Sequence, residues 1–321
     1  MHENLLLPGP ERDSMYAAHP VVCNAVQIAT APVIEAERAV RAAVLHRDPG
    51  TYFLGEPRMG KTTTIEMIES VMPQTFPGVP VFDLIAKTHQ HQNEKIFYGD
   101  LLTDLDQTPG PNVKMAERRN QLLNHVIANC RTVLSDRAIL FVDEGQNWGE
   151  CEYEWMRDLT NDWRKRDVVC VTIVFAHPNL ENNVKVRFVR RNRSDLTGRY
   201  LISRHTFRGL SNLAELRDSF EAYDNPKRHQ FPHGSGICYS RFFFPKAFDG
   251  GWRLRDEAEV AWSLFSAYSK PAERSCASIG MQWVSAAVRN FIFAANDPIQ
   301  PDARGRLWTE AIRAAVYDAM S

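Results

Sequence analysis

The sequence predicts an α/β fold: a mostly parallel five-stranded sheet flanked by helices, followed by a smaller helical domain. Three observations carry this expectation. Short apolar runs alternate with stretches of helical periodicity over residues 41–210, as strands joined by crossover helices do. One of those runs opens into the glycine-bounded loop "GEPRMGKTT", and another ends in Asp143-Glu144. Beyond residue 210 helical stretches dominate, broken by a segment rich in glycine and aromatic residues. The implied organisation is an N-terminal arm and helices over 1–40, a core over 41–210, and a mainly helical region with a Gly/aromatic-rich insertion over 211–321.

Residues 1 to about 20 read as an irregular arm, and "HPVVCNAVQIATAPVIEAERAVRAAVLH" spaces its apolar residues by three and four, predicting one or two helices. "TYFLG" is the first buried strand. After the loop, Ile65, Met67, Ile68 and Val71 predict a helix stopped by Pro73. "VPVFDLIA" predicts a second strand, "NEKIFYGDLLTDL" a helix, and residues 114–134 a long amphipathic helix. Ala138 to Val142 is an apolar strand, Glu154 to Arg166 a helix, and Val168 to Phe175 a further buried strand. "RYLISRHTF" is the fifth. In the last third, "SNLAELRDSFEAY", "RDEAEVAWSLFSAYS", "MQWVSAAVRNFIFAA" and "RLWTEAIRAAVYDAM" read as helices, whereas "QFPHGSGICYSRFFFPKAFDGGW" reads as a loop or hairpin.

Composition bounds the function. The 321 residues, 44% hydrophobic and 24% charged, suit one large domain or two small ones. A net charge of -1 gives no global pull toward nucleic acid or membrane, so any such surface must be a local cluster of Lys and Arg. Cys23, Cys130, Cys151, Cys170, Cys238 and Cys276 form no CxxC pair and no zinc-like spacing, which reads as reduced thiols. The apolar run in "MHENLLLPGPERD" is too short for a signal peptide. No stretch approaches the ~18–20 apolar residues of a membrane span. The expectation is a cytoplasmic protein with no membrane partner.

Gly55-Glu56-Pro57-Arg58-Met59-Gly60-Lys61-Thr62 satisfies G-x-x-x-x-G-K-[ST] between a predicted strand and a predicted helix. Backbone N–H groups of the loop Gly55–Thr63, which Pro57 lacks, with the positive end of the following helix, would cradle phosphates. Lys61 would reach the β and γ phosphates, and the Thr62 hydroxyl would hold magnesium. Phe141-Val142-Asp143-Glu144 is the Walker B pattern. Asp143 would coordinate magnesium through its water shell, and Glu144 would orient and deprotonate the attacking water. An Asp-Glu pair points to hydrolysis of ATP rather than transfer to a small molecule. The next strand ends in "FAHPNL", where His177, with Asn179 second, is the candidate polar side chain between Glu144 and the γ-phosphate.

"GEPRMGKTT", "LFVDEGQN" and "VFAHPNL" resemble the motifs of AAA+ ATPases over roughly residues 40 to 210. Within that group they resemble the transposition regulators of the TnsC/TniB type, which usually read Asp-Glu-Ala-Gln where this chain has Asp143-Glu144-Gly145-Gln146. Those relatives tend to show a Gly-Thr-Pro-like turn in the segment that holds His177. The resemblance implies an AAA+ P-loop NTPase core with a C-terminal helical lid, ATP and Mg2+ as ligands, and hydrolysis at the seam between subunits. Residues 185–208 hold eight Lys or Arg against one acid, Asp195. Arg199, ahead of the fifth strand, falls where the family's trans-acting arginine usually lies, with Arg193 and Arg191 as rivals.

The resemblance further implies a homo-oligomer, ring or helical filament, on duplex DNA, which recruits a transposase and answers a target-selection adaptor protein. The family's DNA surface follows the second strand. Here that segment is "AKTHQHQNEK", whose Lys87, Thr88 and Lys95 would bind phosphate oxygens without reading bases, or else form a plain polar loop. The aromatics around Arg241, Lys246, Arg253 and Arg255 pack a core or interface, or stack on nucleic acid, packing being favoured. Two other functions stay open: a helicase loader or replication initiator, and a signalling NTPase that controls a protein partner without DNA.

Overall fold

The computed structural model describes residues 6–7, 9–268 and 278–317. It divides into two units, one of Glu35–Pro57 with Lys61–Phe207, the other of Met1–Ile34, Arg58–Gly60 and Arg208–Ser321. Cys276, residues 1–5 and the tails of the two predicted helices past 268 and 317 lie outside the described residues.

In chain order the elements up to the last strand are α1 (Pro10–Ala18), α2 (Ala31–His46), β1 (Gly50–Leu54), α3 (Lys61–Thr75), β2 (Val81–Ile85), α4 (Glu94–Asp104), α5 (Met115–Thr132), β3 (Arg137–Asp143), α6 (Glu150–Arg164), β4 (Val169–Ala176), α7 (Val186–Arg190), α8 (Ser194–Tyr200) and β5 (Ser203–Thr206). The five strands form one parallel sheet in the order β2-β3-β4-β1-β5. β3 and β4 are buried along nearly their whole length, which is why both read as unbroken apolar runs. The edge strands β2 and β5 alternate instead. Phe97, Leu122, Val126, Met156 and Trp163 pack the helices of this unit into its core.

Three local readings change. The arm called irregular contains α1, which opens on Pro10 and carries Glu11 and Asp13 in its first turn, both favourable at a helix start. It buries no residue, so it left no apolar period in the sequence. α3 runs through Pro73 to Thr75. The proline falls in the last turn, so it removes one N–H bond to the preceding turn and only two residues follow it. Two of the nine residues of "RYLISRHTF" are helical: Arg199 and Tyr200 close α8, and β5 has only four residues. Gly50 permits this ending, because a Cβ there would lie 1.9 Å from the carbonyl oxygen of Arg199.

The other unit contains α9 (Leu213–Asp224), α10 (Tyr239–Phe243), α11 (Pro245–Asp249), α12 (Ala258–Tyr268), α13 (Met281–Ala294) and α14 (Arg304–Tyr317). The segment read as a loop or hairpin keeps a single antiparallel bridge, Gln230 with Cys238, and then folds into α10 and α11. Phe242, Phe243 and Phe244 are buried in the core, so packing accounts for the three consecutive phenylalanines. At the centre, Glu257 is 1% exposed. It accepts from the indole N–H groups of Trp252 at 2.7 Å and Trp308 at 3.2 Å and pairs with Arg304 at 3.3 Å. The cysteines among the described residues are all free thiols. No described helix is long and apolar enough to cross a membrane.

Candidate nucleotide site

The parallel sheet brings the two sequence motifs to one edge. β1 and β3 flank β4 and run parallel to it, so the loop after Leu54 and the acids at Asp143 and Glu144 share the C-terminal end of the sheet. Gly60 has φ +97 and Arg58 φ 68, left-handed values that turn the chain sharply into α3. Lys61, the first residue of that helix, is buried, and its Nζ donates to the carbonyls of Gly55 at 2.9 Å and Glu56 at 3.2 Å. Burial lowers the Lys61 pKa, and the carboxylates of Glu144, Asp143 and Glu56 oppose that shift. The ammonium therefore stays over the loop, where oxygen acceptors offset its desolvation.

The Thr62 hydroxyl donates to Asp143 Oδ2 at 2.6 Å. Asp143 is 5% exposed, and burial raises its pKa although Thr62 and the Glu144 N–H both favour the charged form. A hydroxyl beside a buried carboxylate is a hard oxygen pair, the donor chemistry magnesium takes. The residues therefore fit that ion.

Glu144 has φ 54 and ψ 33, a left-handed conformation that costs a non-glycine residue about 1 kcal/mol and recurs at functional positions. Its N–H is held by Asp143 Oδ1 at 2.8 Å. The side chain turns toward Gln146, whose Nε2 donates to Glu144 Oε2. Gln146 Oε1 in turn accepts from the backbone N–H of His177 at 2.7 Å. The His177 ring accepts from the Asn179 N–H at Nδ1, 3.1 Å away, and its Nε2 lies 3.2 Å from Glu56 Oε2. A continuous path thus links Glu56 of the phosphate loop, His177 at the tip of β4, Gln146 and Glu144. Sequence reasoning did not assign Gln146 a contact. The available signal was an amide two residues past the acid pair, a spacing that reaches back only because Gly145–Asn147 forms a 3₁₀ turn.

Arg199 stands at the opposite end of the sheet. It donates to the Thr160 hydroxyl at 2.7 Å and, with Arg157, Arg164, Thr160 and Asp195, lines a cavity of about 340 Å³ beside Pro49 and Val169, next to the starts of β1 and β4. The five residues of β1, at ~3.3 Å each, separate it from its own phosphate loop by roughly 15 Å. Of its rivals, Arg193 is bound to Glu150, Glu154 and Asp195, and Arg191 pairs with Glu150 at 2.7 Å. Arg199 pairs with no carboxylate among the described residues.

The segment after β2 is less free than its composition suggests. Lys87 pairs with Asp104 at 2.8 Å, and His89 with Asp100 at 2.6 Å. Thr88 is exposed, and Lys95 lies in the first turn of α4. Asp100 and Asp104 come from farther along α4, so the charge balance of residues 86–95 alone could not register them.

The five-stranded parallel sheet, the helices that flank it and the loop at its C-terminal end are those of an α/β P-loop NTPase fold. Residues 46–184 match the family model described as AAA domain. No curated protein matches the chain. Among solved structures it is similar to the ORC2 protein of Aeropyrum pernix in its ADPNP-ADP complexes, with a TM-score of 0.57 at 10% identity, covering 90% of this chain and 68% of that one. It is also similar to the ORC1 protein of the same organism in complex with DNA, with a TM-score of 0.50 at 12% identity, covering 98% of this chain and 68% of that one. At such identities the likeness is one of fold.

Proposed function

We propose that this chain is an ATP-hydrolysing AAA+ protein that oligomerises on duplex DNA and couples ATP binding and hydrolysis to target-site selection and transposase recruitment. In this reading the loop Gly55–Thr63 binds the phosphates through its N–H groups, and Lys61 moves its hydrogen bonds from the loop carbonyls to phosphate oxygens. Glu144 takes the proton of the attacking water, and His177 orients the far side of the γ-phosphate. Bound magnesium, held by Thr62 and Asp143, supplies positive charge to the phosphate oxygens. Arg199 completes the site of a neighbouring subunit, where its guanidinium offsets charge developing on the γ-phosphate.

The observation that carries the oligomeric reading is the separation of Arg199 from its own phosphate loop by the length of β1. An arginine cavity at the far end of the sheet has no use for the nucleotide of its own chain. The regulator assignment is supported by Asp143-Glu144-Gly145-Gln146. A second reading, a replication-initiator or helicase-loader type of ATPase, is favoured by a fold likeness that extends over 90% of the chain to ORC2.

Electron microscopy and sedimentation with duplex DNA and a non-hydrolysable ATP analogue test the proposal. Rings or filaments are expected, and Glu144→Gln should form them with ATP itself while hydrolysis falls by about 10²–10⁴-fold. Isolated monomers under those conditions would overturn the oligomeric reading. Assembly that stimulates a transposase separates the regulator from the initiator, which would act without one.

A further inference from the structure

Gln146 lies in the 3₁₀ turn Gly145–Asn147, immediately after the acids that end β3. Both ends of its amide are engaged. Nε2 donates to Glu144 Oε2, and Oε1 accepts from the His177 backbone N–H at 2.7 Å. The two partners settle the amide's orientation, because a carboxylate can only accept and a backbone N–H can only donate. A flipped amide would lose both bonds at once. The anchoring N–H belongs to His177, the residue directly after Ala176, which ends β4, a strand buried over nearly its whole length.

The consequence falls on Glu144. Its backbone is confined to the left-handed region and its N–H to Asp143, but the carboxylate hangs on rotatable bonds. Gln146 holds Oε2 alone, so Oε1 keeps its lone pairs for another donor. We infer that Gln146 is a positioning residue for hydrolysis: it clamps one oxygen of Glu144 to the tip of β4 and presents the other to the attacking water. This rests on Glu144 being the base.

The experiment compares wild type, Glu144→Gln, Gln146→Ala, Gln146→Glu and the double variant Glu144→Gln/Gln146→Ala in steady-state ATP hydrolysis and in equilibrium binding of a fluorescent ATP analogue. Gln146→Glu keeps the length and the acceptor for the His177 N–H but replaces the donor with a second carboxylate. Expected is a loss of kcat of about 10- to 100-fold in both single Gln146 variants, since a misplaced catalytic group costs rates of that order. KM and the analogue Kd should stay within about twofold, as uniform binding is untouched. In the Glu144→Gln background, Gln146→Ala should remove nothing further, because two residues acting as one unit are not additive.

If Gln146 merely tied the turn to β4, Gln146→Glu would hydrolyse at the wild-type rate, and that overturns the inference. So does a double variant slower than Glu144→Gln by the same factor that Gln146→Ala costs alone. If Gln146→Ala unfolds, Gln146→Glu carries the test. A wild-type rate for Glu144→Gln removes the base, and the inference with it, whereas a slow Glu144→Gln beside a fast Gln146→Glu refutes the inference and leaves the base in place.

Discussion

Gly145→Ala adds one methyl group to the turn between the acid pair and Gln146, and the structure sets its cost. A Cβ at 145 would lie 2.3 Å from Val174 Cγ1 and 3.2 Å from the Tyr153 hydroxyl. Carbon atoms in good contact are ~3.5–4.0 Å apart, so the first overlap exceeds an ångström. Val174 has little room to yield, being β-branched, fully buried and in the central strand β4. Tyr153 is held as well, since its hydroxyl donates to the Gly145 carbonyl at 2.9 Å. Overpacking of this kind costs roughly 1–3 kcal/mol. At about 2–4 °C per kcal/mol for a domain of this size class, the melting temperature should fall by roughly 2–12 °C. Hydrolysis should fall with it, because the displaced turn carries Glu144 and Gln146 on either side. Calorimetry of Gly145→Ala, Val174→Ala and the double variant is the assay. Val174→Ala opens a cavity and destabilises by itself, but it also makes the room the new methyl needs. The double variant should therefore be more stable than the sum of the singles by about 1 kcal/mol or more. A Gly145→Ala protein that melts with the wild type, or strictly additive effects, would refute the reasoning.

Three further outcomes follow from other parts of the molecule. Burial, with Asp83 nearby, pushes the Glu69 carboxyl up to about 7. The folded chain then holds that proton more tightly than the unfolded chain, so this stabilisation is complete below about pH 4.5 and is lost as pH rises through about 7. In urea unfolding, Glu69→Gln should match wild type near pH 5 and exceed it at pH 8; equal stability at both would refute the assignment. Glu257→Ala leaves the indole N–H groups of Trp252 and Trp308 without their shared acceptor, which should cost about 3–5 kcal/mol in thermal unfolding. Arg193→Ala removes the partner of Glu150, Glu154 and Asp195 and should lower the melting temperature. Arg199→Ala should leave the melting temperature nearly unchanged while suppressing hydrolysis in the assembled state, and the reverse pattern would exchange their roles.

Much of the sheet unit could be read from the chain itself. β1, β3 and β4 are buried on both faces, and parallel strands of that kind write short continuous apolar runs, set apart from buried helices by their length and turn-forming flanks. The phosphate loop was legible for a related reason. A sharp turn with φ +97 at Gly60, entering a helix at Lys61, tolerates so few residue types that the pattern carries the geometry. α1 was not legible, since it buries nothing, and α10 and α11 were hidden because helices of five residues are too short to show a period.

What the sequence by itself determined was the inventory at the C-terminal edge of the sheet: Lys61, Thr62, Asp143 and Glu144, each tied to a strand end or a helix start by local pattern. Only the tertiary structure decided what those groups touch. Strand order β2-β3-β4-β1-β5 puts β4 between the two motifs, so the tip of a strand remote in sequence from the acid pair supplies the N–H that fixes Gln146. Because β5 runs parallel to β1, Arg199 just before it lies at the other end of the sheet and pairs with no carboxylate among the described residues, while Arg193, six residues earlier, is consumed by α6. Local pattern records where backbone geometry restricts residue type. Contacts between side chains on different elements depend on register and crossing, which no single segment encodes.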